Sequence, residues 1–140
     1  MTYVDTSVLV ALWLREPGSE GCLRWYGTQT DDLISAVWCV TEFASALGIK
    51  QRSGSISSAQ ADHAWIQFER LCAGDLRLLS VGHDAFHRAA KLTRDMSTGL
   101  RAGNALHLAV ALEAQVTVMA TLDLTLAKNA KRMKMKLSVL

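Results

Sequence analysis

The sequence predicts an α/β fold with a central, mainly parallel sheet covered on both faces. Short β-branched or apolar runs alternate with longer stretches of helical periodicity along the whole chain, and parallel strands need crossover connections, which are usually helical. Half of the 140 residues are apolar, enough to bury a sizeable core in a single domain spanning 1–140. One proline and nine glycines are too few for a linker-rich or low-complexity chain.

A short apolar start ending at Val4 is the first strand, and Asp5, Thr6 and Ser7 then offer side-chain oxygens to cap a helix over 8–14. Pro17-Gly18 breaks that helix, and a second spans 20–26. The turn at Asp31-Asp32 leads into a strand, followed by a helix over 36–50 whose stripe of Val37, Val40, Phe43, Ala44 and Leu47 should face a core. After the Gly54 turn, Ser57 and Gln60 have capping-box spacing and open a helix reaching Cys72. A strand over 77–81 precedes a helix over 84–96, with Ala85, Phe86, Ala89, Ala90 and Leu92 on its apolar side and Gly99 at its end. The segment 105–112 is apolar nearly all round, which marks a helix packed on several sides. A β-branched strand over 116–121, a helix over 123–132 and a short strand over 137–140 complete the chain.

Fifteen Lys and Arg against thirteen Asp and Glu give a net charge of +2, which argues against a polybasic arm, an acidic tail or intrinsic disorder. Cys22, Cys39 and Cys72 are odd in number and widely spaced, so neither a disulfide framework nor a zinc ribbon is indicated, and a reducing cytoplasm fits best. No basic region precedes an apolar stretch at the start, and no run of about 18 apolar residues occurs, so neither export nor a membrane partner is expected.

Ligands of open parallel sheets bind beyond the carboxyl ends of the strands. Asp5 directly follows the first strand, and Asp123 stands two residues after the 116–121 strand. Glu42 lies in the apolar sequence Val40-Thr41-Glu42-Phe43-Ala44, where a carboxylate is costly unless paired or metal-bound. Taken singly, Asp5 and Asp123 are explained by helix capping and Glu42 by a solvated helix face. The combination is more telling.

The four segments Val4 to Ala11, Ser35 to Leu47, Leu100 to Ala109 and Ala120 to Ala127 resemble, in that order, those of PIN domains, in particular VapC-type toxin ribonucleases of VapBC toxin–antitoxin pairs. The resemblance covers nearly the whole chain. It implies a three-layer α/β/α fold and endonucleolytic hydrolysis of RNA, tRNA among the candidate targets, dependent on Mg²⁺ or Mn²⁺. It also implies a homodimer held in check by a VapB-type antitoxin. Asp5, Glu42, Asp123 and the position of Asn104 would be catalytic and metal-binding, with Thr6, Ser7 and Thr121 orienting them. Arg101 and Arg15 are candidates for RNA phosphates.

At position 104 the family normally carries Asp. The carboxamide of Asn104 still offers an oxygen but no charge, and hard divalent cations are held largely by charged oxygens, so metal affinity should fall. Three readings stand: a substitution introduced to make a toxic enzyme expressible, which the intact flanking motif favours; a natural variant of weak activity; and a protein that binds RNA or antitoxin without cutting. His107, one helical turn further on, reads as a hydrogen-bonded core histidine rather than a ligand, and His63, His83 and His87 as surface residues. The basic residues from Lys128 to Lys136 fit an RNA-facing rim or a solvated helix face equally, and the four tryptophans fit packing or an interface. An aspartyl phosphatase is disfavoured because Ser7 stands where its general acid is needed, and no P-loop or Gly-x-Gly-x-x-Gly turn occurs.

Overall fold

The computed structural model describes residues 1–140. Strand β1 (Thr2–Val4) leads into helices α1 (Thr6–Trp13) and α2 (Ser19–Gly27), and β2 (Leu33–Ala36) into α3 (Trp38–Arg52) and α4 (Ser58–Ala73). Strand β3 (Leu76–Leu79) is followed by α5 (His83–Arg94) and α6 (Ala102–Glu113), β4 (Val118–Ala120) by α7 (Leu124–Arg132), and β5 (Lys136–Leu137) comes last. The strands form one sheet in the order β3-β2-β1-β4-β5, and every pairing is parallel.

Alternation along the strands sorts side chains between two cores. Val4, Leu33, Leu76 and Ala120 face the layer of α1 to α4, packing on Leu9, Cys39, Phe43 and Phe68 among others. Tyr3, Ile34, Ala36 and Met119 face the layer of α5 to α7. The result is the three-layer α/β/α arrangement. Residues 105 to 111 of α6 are buried without a break, as their all-round apolar character requires. Phe43 and Phe68 stack with ring centroids 4.3 Å apart and planes 9° from parallel, tying α3 to α4.

Local signals set several boundaries. Asp5 caps α1, Asp123 caps α7, and Ser57 and Gln60 complete both halves of a capping box at α4. Gly54 and Gly99 turn the chain at φ of +77° and +65°, conformations that L side chains rarely adopt. Two expected faces are corrected. On α3 the buried stripe is Cys39, Phe43 and Leu47 with Val40 partly buried beside it, while Val37 and Ala44 are exposed; Ala36 belongs to β2, where it pairs with Leu79, so the helix starts two residues later and Val37 stands at its cap rather than in the stripe. On α5 only Ala85 and Ala89 are buried, and Phe86 and Ala90 face outward because the helix meets the core along a single narrow line. No helix is long and apolar enough to cross a membrane.

Candidate metal centre

The two strands at the middle of the sheet send their chains to opposite faces. After β1 the chain enters α1 in one layer, and after β4 it enters α7 in the other, so a crevice opens between their carboxyl ends. Asp5 lies at this point and is only 2% exposed. Its Oδ2 accepts the Ser7 hydroxyl at 2.6 Å and the Thr121 hydroxyl at 2.9 Å, with the Ser7 N–H at 3.4 Å. The Ser7 hydroxyl oxygen in turn accepts the Leu122 N–H, and that of Thr121 accepts the Asp123 N–H. These bonds stitch the end of β1 to the end of β4 and leave Asp5 Oδ1 with no hydrogen bond.

Glu42 projects from α3 toward the same place. Its Oε2 accepts the Thr6 hydroxyl at 2.7 Å and lies 2.7 Å from His107 Nε2. His107 is completely buried, and its Nδ1 is 2.7 Å from the Tyr3 hydroxyl. That hydroxyl also accepts the Ala36 N–H, and because a carboxylate only accepts, Nε2–H of His107 donates to Glu42. The expectation of a hydrogen-bonded core histidine is met. Asp5, Glu42 and His107 bring ligand-type atoms within 4.8 Å of one another. Nε2 is already committed to Glu42, so His107 orients the carboxylate rather than offering a free lone pair.

Burial works to raise the Glu42 carboxyl, but the hydrogen bond and charge of His107, with smaller help from Thr6 and Trp38, outweigh it and hold it below its ordinary value. Burial works to lower His107, and the hydrogen bond to Glu42 with the charges of Asp5 and Glu42 overcomes it, so the imidazole is raised. The Trp38 indole N–H is buried beside this carboxylate without a hydrogen bond of proper geometry. Gly103 completes the cradle: a Cβ there would stand 2.6 Å from Glu42 Oε1 and 3.3 Å from Trp38 Nε1.

A cavity of about 740 Å³ is lined by Asp5, Thr6, Ser7, Glu42, Asn104 and Asp123 among others. Asp123 spends Oδ1 on the Leu126 N–H at 2.7 Å, leaving Oδ2 unbonded, and the Asn104 side chain makes no hydrogen bond. Glu16 also lines the cavity, and no Lys, Arg or His does. Three carboxylates therefore each keep one oxygen without a hydrogen bond at a cavity whose lining includes no cationic side chain; His107 stands behind it, with Nε2 3.6 Å from Asp5 Oδ1, and Lys50 is paired with Glu16. That oxygen-rich donor set fits a hard divalent cation. Thr121 lies just behind the wall, bonded to Asp5. Arg101 is the exposed residue that precedes α6 and Arg15 lines a different cavity, so neither reaches this wall. The contributions of Tyr3, Trp38 and Gly103 escape sequence reasoning; the one available signal was the placement of His107 a helical turn beyond Asn104.

A parallel three-layer domain with an acidic centre where the sheet's connections diverge is the class these features define. The sequence model of the PIN domain matches residues 2–132, and the chain belongs to that family. No match is found among curated proteins. Among solved structures the chain is similar to VapC20 of Mycobacterium tuberculosis, a sarcin-ricin loop cleaving toxin, with a TM-score of 0.74 at 18% identity over 92% of this chain and 95% of that one. It is also similar to FitAcB of Neisseria gonorrhoeae (TM-score 0.67, 16% identity, 98% and 96% covered). A third is VapBC2 of Rickettsia felis bound to a DNA fragment from their promoter (TM-score 0.67, 10% identity, 99% and 98% covered).

Proposed function

We propose that the chain, as one PIN domain over 1–140, is a cytoplasmic metal-dependent endoribonuclease of the VapC toxin type, a homodimer neutralised by a VapB-type antitoxin. The observation that carries this reading is the cavity that Asp5, Glu42, Asn104 and Asp123 line together, with no Lys, Arg or His in its lining. The fold shared with a toxin that cleaves the sarcin-ricin loop supports it.

Asp5, Asp123, Glu42 and the Asn104 carboxamide would hold Mg²⁺ or Mn²⁺. When bound, such an ion supplies Lewis-acid charge for in-line attack of water on a phosphodiester. The protein's part is preorganisation. Ser7 and Thr121 fix the Asp5 carboxylate by one oxygen, and Thr6 and His107 fix that of Glu42 in the same way. Asp123 is held by its role as a helix cap. Each donor engages one oxygen of a carboxylate and leaves the other without a hydrogen bond, so little reorganisation remains when charge develops.

Asn104 gives specific support to a second reading, a PIN domain that grips RNA or an antitoxin without cutting. A unit charge about 4 Å from a divalent ion is worth about 2 kcal/mol even at the dielectric constant of water, or roughly thirtyfold in affinity. Asn104→Asp should therefore tighten Mn²⁺ binding by at least that factor, measured calorimetrically, and turn on EDTA-sensitive cleavage of total RNA. Adding Asp5→Ala should abolish both gains. Tight metal binding by Asn104→Asp without cleavage of any RNA would favour the non-catalytic module.

A further inference from the structure

A polyanionic strand entering the acidic cavity meets Asp5, Glu16, Glu42 and Asp123, and its affinity must come from beyond that wall. The adjoining surface has the opposite character. A second cavity, of about 570 Å³, lies where the end of α1 meets the end of α3 and the start of α4. Its wall includes Trp13, Arg15, Lys50, Ser55, Gln60 and His63, and no acidic residue lines it. The Glu16–Lys50 ion pair is the partition, since Glu16 lines the acidic cavity and Lys50 the basic one.

The second wall is rich in donors that lack acceptors. Arg15 is exposed and forms no ion pair, unlike Lys50. Gln60 spends its carbonyl oxygen on the Ser57 N–H in the capping box, which leaves its amide hydrogens unbonded. The Trp13 indole N–H is also without a partner, but it is buried with no surface open to the cavity. The complement of such a wall is an anion with several acceptor oxygens, and Arg is suited to it because its fork meets phosphate in two parallel bonds.

We propose that this basic cavity is a phosphate subsite, taking a phosphodiester group of the RNA strand on the far side of the Glu16–Lys50 pair from the acidic centre. The proposal rests on the nuclease reading above and adds to it where the strand is held. Arg15 makes the principal contact, Gln60 contributes hydrogen bonding, and His63 lines the cavity as a secondary donor.

The test separates binding from cleavage. Binding of a fluorescein-labelled single-stranded RNA of about a dozen nucleotides is followed by anisotropy in EDTA over a salt series. One phosphate contact to a single strand contributes a slope of about 0.7 in log affinity against log salt, so at about 0.1 M salt Arg15→Gln should weaken binding about fivefold and flatten the slope by that amount. Arg15→Lys should keep the slope, and Arg94→Gln, an exposed change on α5 in the opposite layer, should leave both values as they were. Equal affinity and slope for Arg15→Gln and the parent overturns the subsite while leaving the acidic centre untouched. Failure of the parent to bind RNA, with Asn104→Asp still cutting it, also overturns the subsite. Failure to bind together with failure to cut overturns the nuclease reading as well.

Discussion

Gly103→Ala sets two effects of a single methyl group against each other. Residue 103 lies in the first turn of α6, where replacing Gly by Ala removes backbone freedom from the unfolded chain and favours the helix by up to about 1 kcal/mol. The same methyl would stand 2.6 Å from Glu42 Oε1, and ordinary contact begins near 3.4 Å, so the carboxylate must retreat by about 0.8 Å. Glu42 is a flexible side chain, which makes the retreat itself cheap. Its other oxygen, however, is anchored at 2.7 Å to both Thr6 and His107, and a shift of that size stretches both bonds beyond good geometry. Charge-assisted hydrogen bonds contribute about 1.5–3 kcal/mol each, so weakening two of them outweighs the helix gain. The expected outcome is a protein destabilised by about 1–2 kcal/mol, with Mn²⁺ affinity reduced by about tenfold or more because Glu42 no longer faces the ion correctly. Urea unfolding gives the first quantity and calorimetric titration the second, best read in the Asn104→Asp background where binding is tight. A Gly103→Ala protein that is more stable and binds Mn²⁺ as before would refute the claim that Glu42, projecting from α3, is clamped by Thr6 of α1 and His107 of α6.

Tyr3→Phe removes the hydroxyl that serves both His107 Nδ1 and the Ala36 N–H, leaving two buried groups unpaired at a cost of about 3 kcal/mol in urea unfolding. The same residue predicts an alkaline limb. Burial holds the Tyr3 phenol well above its ordinary value, so above about pH 10 the unfolded chain releases this proton and the folded chain keeps it, and stability falls as pH rises. Cys39, pushed up to about 12 by burial, starts the decline nearer pH 9, and Tyr3→Phe should flatten only the part above pH 10. Ser57→Ala should cost about 1 kcal/mol by thermal or urea unfolding through loss of the capping box, with no change in metal binding, since α4 lies outside the acidic wall.

Much of the fold was legible because local chemistry and tertiary packing agree. Asp5, Ser57 and Asp123 announce helix starts through their own hydrogen bonds, and α6 announces its central place by being apolar all round. The faces of α3 and α5 were less legible. Periodicity fixes the spacing of a stripe and not how many of its members meet a neighbour, and small residues such as Ala44 and Ala90 are tolerated in water. The acidic constellation was readable from strand ends, since β1 and β4 place Asp5 and Asp123 on either side of one crevice. Glu42 was ambiguous because no local pattern says that α3 turns this residue toward His107, which lies 65 positions away. The basic cavity was invisible for the same reason. Arg15 follows α1, Lys50 is on α3 and His63 on α4, a junction that is a tertiary fact, and only Arg15 stood out as a candidate cation.

The bond from Thr121 to Asp5 joins residues 116 positions apart, and β1 has no β4 beside it until residue 120 has been made. A chain still emerging from the ribosome has its first carboxylate early, together with the whole layer of α1 to α4, yet lacks the strand that turns this carboxylate and the Asp that faces it. Whatever chemistry this centre performs is therefore withheld during synthesis. It switches on only once β4 pairs with β1, after residue 120 has been made.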